Sequence, residues 1–186
     1  MIFNNPYKGD FDHKPEVTKS GHFKDHYFYS GDFFNLNITP KEKMKSVFVL
    51  LLFFISSIAL LVISGLVNQD SSRTWYVVFP YLITFMPICF FAIGILYYAL
   101  SPLKMNRAEF DKGILRMKHS AYGAIAVLVI SIVCDFVYII KNIAEVRLSY
   151  ELIYVGILIV ICVIEILFGK YYTKMFGSIE VEKINQ

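Results

Sequence analysis

Charge is scarce in this chain, and it is missing in long blocks. Asp, Glu, Lys and Arg make up 18% of the residues and apolar types 56%, below the charged share and above the apolar share of an ordinary soluble domain. No charged residue occurs from Ser46 to Val67 or from Trp75 to Leu103. Ser120 to Ile140 holds only Asp135, and Leu152 to Gly169 holds only Glu165, with Glu151 just ahead of it. Paired cysteines are missing as well: Cys89, Cys134 and Cys162 each sit in an apolar run with no CxxC among them. A membrane redox enzyme needs a paired, accessible thiol, so these cysteines read as small hydrophobes. Catalytic signatures are also lacking. The chain has no HExxH, GxSxG or P-loop, and no paired-aspartate pattern of a lipid phosphotransferase. The charged segment 104–119 offers only Glu109, Asp111 and His119, which bring no acid, base and nucleophile together. A non-enzyme without cofactor or metal is expected, and the net charge of +3 gives no reason to expect nucleic-acid binding.

What is present is four apolar runs of membrane length, over about 46–67, 75–103, 120–140 and 150–169. Roughly 20 such residues cross about 30 Å of hydrocarbon as a helix, and soluble core helices seldom stay apolar for so long. No apolar stretch precedes Ser46, so the first run is expected to serve as an uncleaved membrane signal. Basic residues set the orientation. Lys8, Lys14, Lys19, Lys24, Lys41, Lys43 and Lys45 precede the first run; Lys104, Arg107, Lys112, Arg116 and Lys118 lie between the second and third; Lys170, Lys174 and Lys183 end the chain. Against these fifteen stand Arg73, Lys141 and Arg147 in the two short connections on the other side. The expected protein is an all-α integral membrane bundle of two antiparallel hairpins in a cell (inner) membrane. Its cytosolic parts are an aromatic tail (1–39) and a C-terminal tail (171–186), flanking a membrane domain (40–170). Trp75, Tyr76, Tyr97, Tyr98, Tyr150, Tyr171 and Tyr172 stand at run ends, where interfacial aromatics belong.

The tail is unusually aromatic for a disordered segment, with Phe3, Tyr7, Phe11, Phe23, Tyr27, Phe28, Tyr29, Phe33 and Phe34. Residues 22–29 and 33–38 read as two β-capable runs around Ser30-Gly31-Asp32, a possible β-hairpin needing a surface to lie on. Thr39-Pro40-Lys41-Glu42 marks a helix start, with a capping threonine, proline at the first position and glutamate at the third. His22 and His26 flank Asp25 without completing a metal-ligand pattern.

Asp135 and Glu165 are the intramembrane ionisable candidates, because a carboxyl in hydrocarbon is costly. Helix rise puts Asp135 in the outer part of the membrane and Glu165 near the cytosolic end, roughly 15 Å apart, too far for one shared ion. Local pairing explains each more simply: Asp135 with Lys141 or Arg147, Glu165 with Lys170 or Lys118. Pro80 and Pro87 break the hydrogen-bond ladder of the second span on nearly one face, where kinks would open a cavity beside Tyr81, Thr84 and Cys89. Ser120, Gly123, Ala124 and Ala126 offer small residues for close helix packing.

Two functions fit. The first is a non-enzymatic interaction or accessory component, surrounded by lipid bilayer, that meets a protein partner or a second copy through its tail or helix faces. It fits the organised tail and the lack of a continuous polar stripe along the spans. The second is a small ion or solute transporter or channel subunit using Asp135 and the Pro-kinked second span. That reading needs oligomerisation, because four mostly apolar helices leave little polar lining.

Overall fold

The protein is described by a computed structural model covering residues 6–17 and 23–183. Four of its helices are long and apolar enough to cross a membrane: α1 (Pro40–Leu66), α2 (Trp75–Leu100), α3 (Arg107–Lys141) and α4 (Leu148–Phe176). Strands β1 (Phe11–Val17), β2 (Phe23–Tyr29) and β3 (Phe33–Asn35) precede α1, β4 (Lys104–Asn106) lies between α2 and α3, and β5 (Glu180–Glu182) follows α4.

Each long helix begins or ends for a local reason. At α1 the expected capping box forms: the Thr39 hydroxyl accepts the Glu42 N–H at 3.3 Å, and the Glu42 carboxylate accepts the Thr39 N–H at 2.7 Å. Helix α3 starts at Arg107, well before the expected 120. A second capping box explains the difference, with Asn106 and Glu109 exchanging backbone bonds at 2.9 Å. The first turns of α3 carry charge, so an apolar run cannot reveal them; they pass through a wider π turn at Asp111–Leu115. Helix α4 likewise continues to Phe176, past the expected end near 169.

The helices pack in a ring, α1 against α2 and α4, and α3 against α2 and α4. Apolar side chains fill two interior clusters. One centres on Leu50, Phe91, Tyr98, Met117 and Phe168, the other on Leu61, Ile88, Leu128 and Leu158. The tightest approach joins α2 to the π turn. A Cβ on Gly113 would stand 3.1 Å from the Tyr98 nitrogen, and one on Gly94 3.1 Å from the Gly113 carbonyl oxygen. Small residues let helix backbones meet in this way. Further along α3, Gly123 faces Pro87 with ordinary spacing, Ser120 and Ala124 are buried, and Ala126 turns outward.

The expected hairpin of residues 22–29 with 33–38 is replaced by other pairings. β2 pairs antiparallel with β1, Phe11 opposite Tyr29, while β3 lies between β4 and β5. The Ser30-Gly31 turn is tied to the start of β1, because the Asp10 carbonyl accepts both N–H groups at 2.9 and 3.2 Å. A Cβ at Gly31 would come within 2.9 Å of the Asp10 Cβ, so this position requires glycine. His22 lies outside the described residues, and His26 stands opposite Lys14 in the β1–β2 register.

The glycine contact is testable by melting in detergent. Gly94→Ala and Gly113→Ala should each destabilise the bundle by about 1–3 kcal/mol, the usual cost of overpacking. Gly123→Ala, whose Cβ meets only the Pro87 Cβ at 3.6 Å, should leave the melting temperature nearly unchanged.

Candidate functional site

The buried stripes of the helices carry polar groups at helical spacing. On α1 the stripe includes Ser46, Leu50, Ser57, Leu61 and Ser64; on α3 it includes Leu128, Ser131 and Asp135; on α4 it includes Glu151, Tyr154, Leu158, Ile161 and Glu165. Residues three, four and seven apart share a face, so these polar groups face the interior. On α1 the buried serines alternate with Leu50 and Leu61, so they are spaced along the face rather than forming a continuous polar stripe.

The stripe can be followed from one end to the other. At the strand-bearing end, the Lys43 ammonium donates to the carbonyls of Ser101 and of Ala99 (3.4 Å) at the end of α2. Those carbonyls have no partners within their own helix, and a cation suits that end of the helix dipole. Ser46 and Tyr98 hydroxyls share a bond of 2.7 Å one turn further on. About 16 Å along α1 by helix rise, the Ser57 hydroxyl donates to Glu165 Oε1 at 2.8 Å. Glu165 is 4% exposed. It also lines a groove of about 280 Å³ between α3 and α4, together with Lys118, Tyr122, Lys170 and Tyr172. Neither lysine pairs with it; serine on α1 takes the place of the expected cation.

The opposite end holds the densest polar cluster. In the α1–α2 connection, Ser71 donates to Glu151 twice, from its N–H to Oε1 at 3.0 Å and from its hydroxyl to Oε2 at 2.7 Å. Asp135 adjoins both residues. It is fully buried, and neither of its carboxyl oxygens is in a well-formed hydrogen bond. Among the described residues no Lys or Arg forms an ion pair with Asp135, Glu151 or Glu165. The Arg147 expected beside Asp135 is engaged elsewhere. Its guanidinium reaches Asp70 Oδ1 at 2.8 Å and the Asn68 carbonyl at 2.9 Å, while its N–H donates to Asp70 Oδ2 at 2.9 Å. The two connections at this end are thus clamped together above the buried acids. Asp70 is held below the usual carboxylate range by the hydrogen bonds from Arg147.

Of the candidates on α2, Tyr81 reaches across to α1, donating to the Leu61 carbonyl at 2.8 Å. Gly65 makes room for that hydroxyl. Thr84 is fully buried and bonds back to the Pro80 carbonyl at 3.1 Å. Pro87 lines a shallow groove between α2 and α3 with Phe90, Ser120 and Gly123. Pro80, Tyr81, Thr84 and Pro87 therefore face different surroundings. Glu151, Ser71 and Gln69 at this end, like Ser57, Ser64 and Ser131 within the bundle, are interior polar residues without a strong signal in the sequence. The available signal was periodicity, since Glu151 lies on the Tyr154–Leu158 face of α4. No group of three or more metal-ligating side chains occurs among the described residues, and the three cysteines are free. Comparison with protein-family models, with curated proteins and with solved structures returns no match.

Two measurements probe these contacts. Ser57→Ala leaves a buried carboxyl oxygen without its donor and should cost about 1–3 kcal/mol. Glu165→Gln keeps an acceptor for Ser57 and should cost less; detergent melts of the two variants give the comparison. For the clamp, a depressed acid contributes stability above its unfolded value near pH 4, and loses it as pH falls through the lower folded value. Amide protection around residues 68–74 and 145–150 should therefore stay constant from neutrality to about pH 4, and collapse only below it. Arg147→Gln should lose that protection already at neutral pH.

Proposed function

We propose that this chain is a multi-pass protein of a cell (inner) membrane with both termini cytosolic, and that it acts as a non-enzymatic interaction or accessory component. Its four helices anchor a small cytosolic platform, arranged as two antiparallel hairpins in the bilayer. The observation that carries this reading is the β4–β3–β5 sheet, which knits the segments before α1, between α2 and α3, and after α4 into one unit. Its strands are short, but Lys104 bridges to Glu182 at 2.7 Å and Phe34 stacks on Phe110 at 4.2 Å. Placing all three segments on one side agrees with the fifteen basic residues found in them and in the adjoining parts of α1, α3 and α4. Beside the sheet, the β1–β2 hairpin is attached through Arg107, which approaches Asp10 at 3.7 Å and donates its N–H to the Tyr29 hydroxyl at 3.0 Å. Phe11 and Tyr27 on this hairpin are exposed. A two-stranded hairpin with exposed aromatics gains stability by meeting another surface, which suits a protein partner or a second copy.

A second reading, a small ion or solute transporter or channel subunit, is favoured by the buried carboxyls on α3 and α4, because intramembrane acids mark ion and proton pathways. The prolines of α2 belong to this reading as kink sites.

The test uses the tagged full chain, expressed at native level and purified in mild detergent, beside a form lacking residues 1–28. That truncation removes the hairpin and spares β3, so the platform stays intact. A stoichiometric protein that co-purifies with the full chain and is lost from the truncated form is the expected result. Retention of that partner by the truncated form counts against the hairpin as its docking element. A lone homo-oligomer in both would favour the transport reading and lead to ion-flux assays in liposomes.

A further inference from the structure

Hydrogen-bond donors are unevenly shared between the two buried acids at the clamped end. Glu151 receives both donors that Ser71 has to offer, the coordination suited to a carboxylate. Asp135, beside it and fully buried, receives none in good geometry. A buried anion with neither donors nor a counter-charge is unfavourable by several kcal/mol or more. Two adjoining anions add their mutual repulsion, which shielding from water makes stronger.

Among the described residues no cation forms an ion pair with either acid, although Arg147 lies within electrostatic reach of Glu151. On α4, Tyr154 lies within electrostatic reach of Asp135, Glu151 and the α2 residue Tyr81. On α3, Cys134 and Tyr138 flank Asp135 in sequence, and Tyr138 faces Glu151, Asp70, Tyr76 and Arg73. Arg147 is committed to Asp70, and Arg73 forms no ion pair among the described residues. A second acceptor in the same connection as Ser71, Gln69 Oε1, is also buried without a partner.

We propose that Asp135 and Glu151 form a proton-binding site at this end of the bundle, holding one proton between the two carboxyls. The proton turns Asp135 into the donor that the pair lacks and removes one of the two negative charges. Glu151 keeps its two bonds from Ser71, so the site joins the α1–α2 connection, α3 and α4 through one exchangeable particle. It is independent of whether the chain serves as an interaction component or as a transporter subunit, since the burial comes from the protein itself.

Infrared spectroscopy of the full chain in lipid nanodiscs tests this directly. The background is Glu165→Gln, so that only the pair contributes a buried acid. At pH 7 the carbonyl stretch of one neutral carboxylic acid should be present. Asp135→Asn and Glu151→Gln should each abolish it, because either amide provides an N–H that replaces the shared proton. Persistence of the band in the Asp135→Asn chain, or its absence from the parent, would overturn the site. A band that appears only when sodium is replaced by choline would also overturn it, by identifying a metal-cation site. Should a variant fail to fold, carboxyl-13C labelling of aspartate in the unsubstituted chain gives the same answer. Asp135 is the one aspartate within the apolar runs, so an isotope-shifted neutral band at pH 7 supports the proposal and its absence refutes it.

Discussion

The outward faces of the four helices are apolar almost throughout. Phe48, Leu52, Ile55 and Val62 on α1, Phe79, Leu82, Met86 and Phe90 on α2, and Leu152, Val160 and Leu167 on α4 are all exposed. A polar side chain within these helices can bond only to the interior or to a backbone carbonyl. That constraint inverts the usual arrangement of a soluble domain, in which polar groups point out. Here Ser46, Ser57 and Ser64 of α1, Asp135, Glu151, Glu165, Tyr98 and Tyr154 are buried, and Tyr81 bonds across to α1. Each polar contact then acts as a register mark, because sliding one helix by a turn strands a buried donor or acceptor. Ser46 with Tyr98, Tyr81 with Leu61, and Ser57 with Glu165 fix α1 against α2 and α4 at successive levels.

The two ends of the bundle are closed by different means. One end is knitted by backbone pairing between strands far apart in sequence, which ties the helix ends without needing apolar area. The other is held through two carboxylates: Asp70 accepts from the Arg147 guanidinium and N–H at the surface, and Glu151 from the Ser71 hydroxyl and N–H beneath it. Backbone ladders barely respond to pH, whereas carboxyl pairs do. Carboxylates also brace the strand-bearing end, Glu182 with Lys104 and Asp10 with Arg107, but the buried carboxyl pair lies at the Arg147 end.

Helix identity was legible because hydrocarbon-length apolar runs are long and uniform. The first helix start was legible because Thr39-Pro40-Lys41-Glu42 states both halves of a capping box. The true start of α3 was not, since its first turns look like any charged loop, in which Glu109 stands out only as an acid and Asn106 not at all. Strand pairing failed for a similar reason. Residues 23–29 and 33–35 are β-capable, but β3 takes both its partners from more than 60 residues away, and no local signal specifies partners at that distance. Asp135 and Glu165 stood out as charges in apolar surroundings. Glu151 did not, because it lies at the edge of a run, where acids are unremarkable.

That edge position is also what makes Glu151 chemically useful. Glu165, by contrast, has a single serine donor and lines the groove between α3 and α4. An acid at the span's edge, covered by a connection that is itself held by one arginine, lies a short distance from solvent while being shielded from it. Asp135 lies further from its own helix end on the neighbouring helix, beside Glu151. The order of the groups runs from Asp70, paired with Arg147, through Glu151, satisfied by the neutral donors of Ser71, to Asp135, which has no well-formed hydrogen bond. Glu151 and Asp135 are both fully buried, so the difference in donors between them is what makes a proton necessary at the pair. The pair is therefore placed where a proton is needed and where it can still be exchanged.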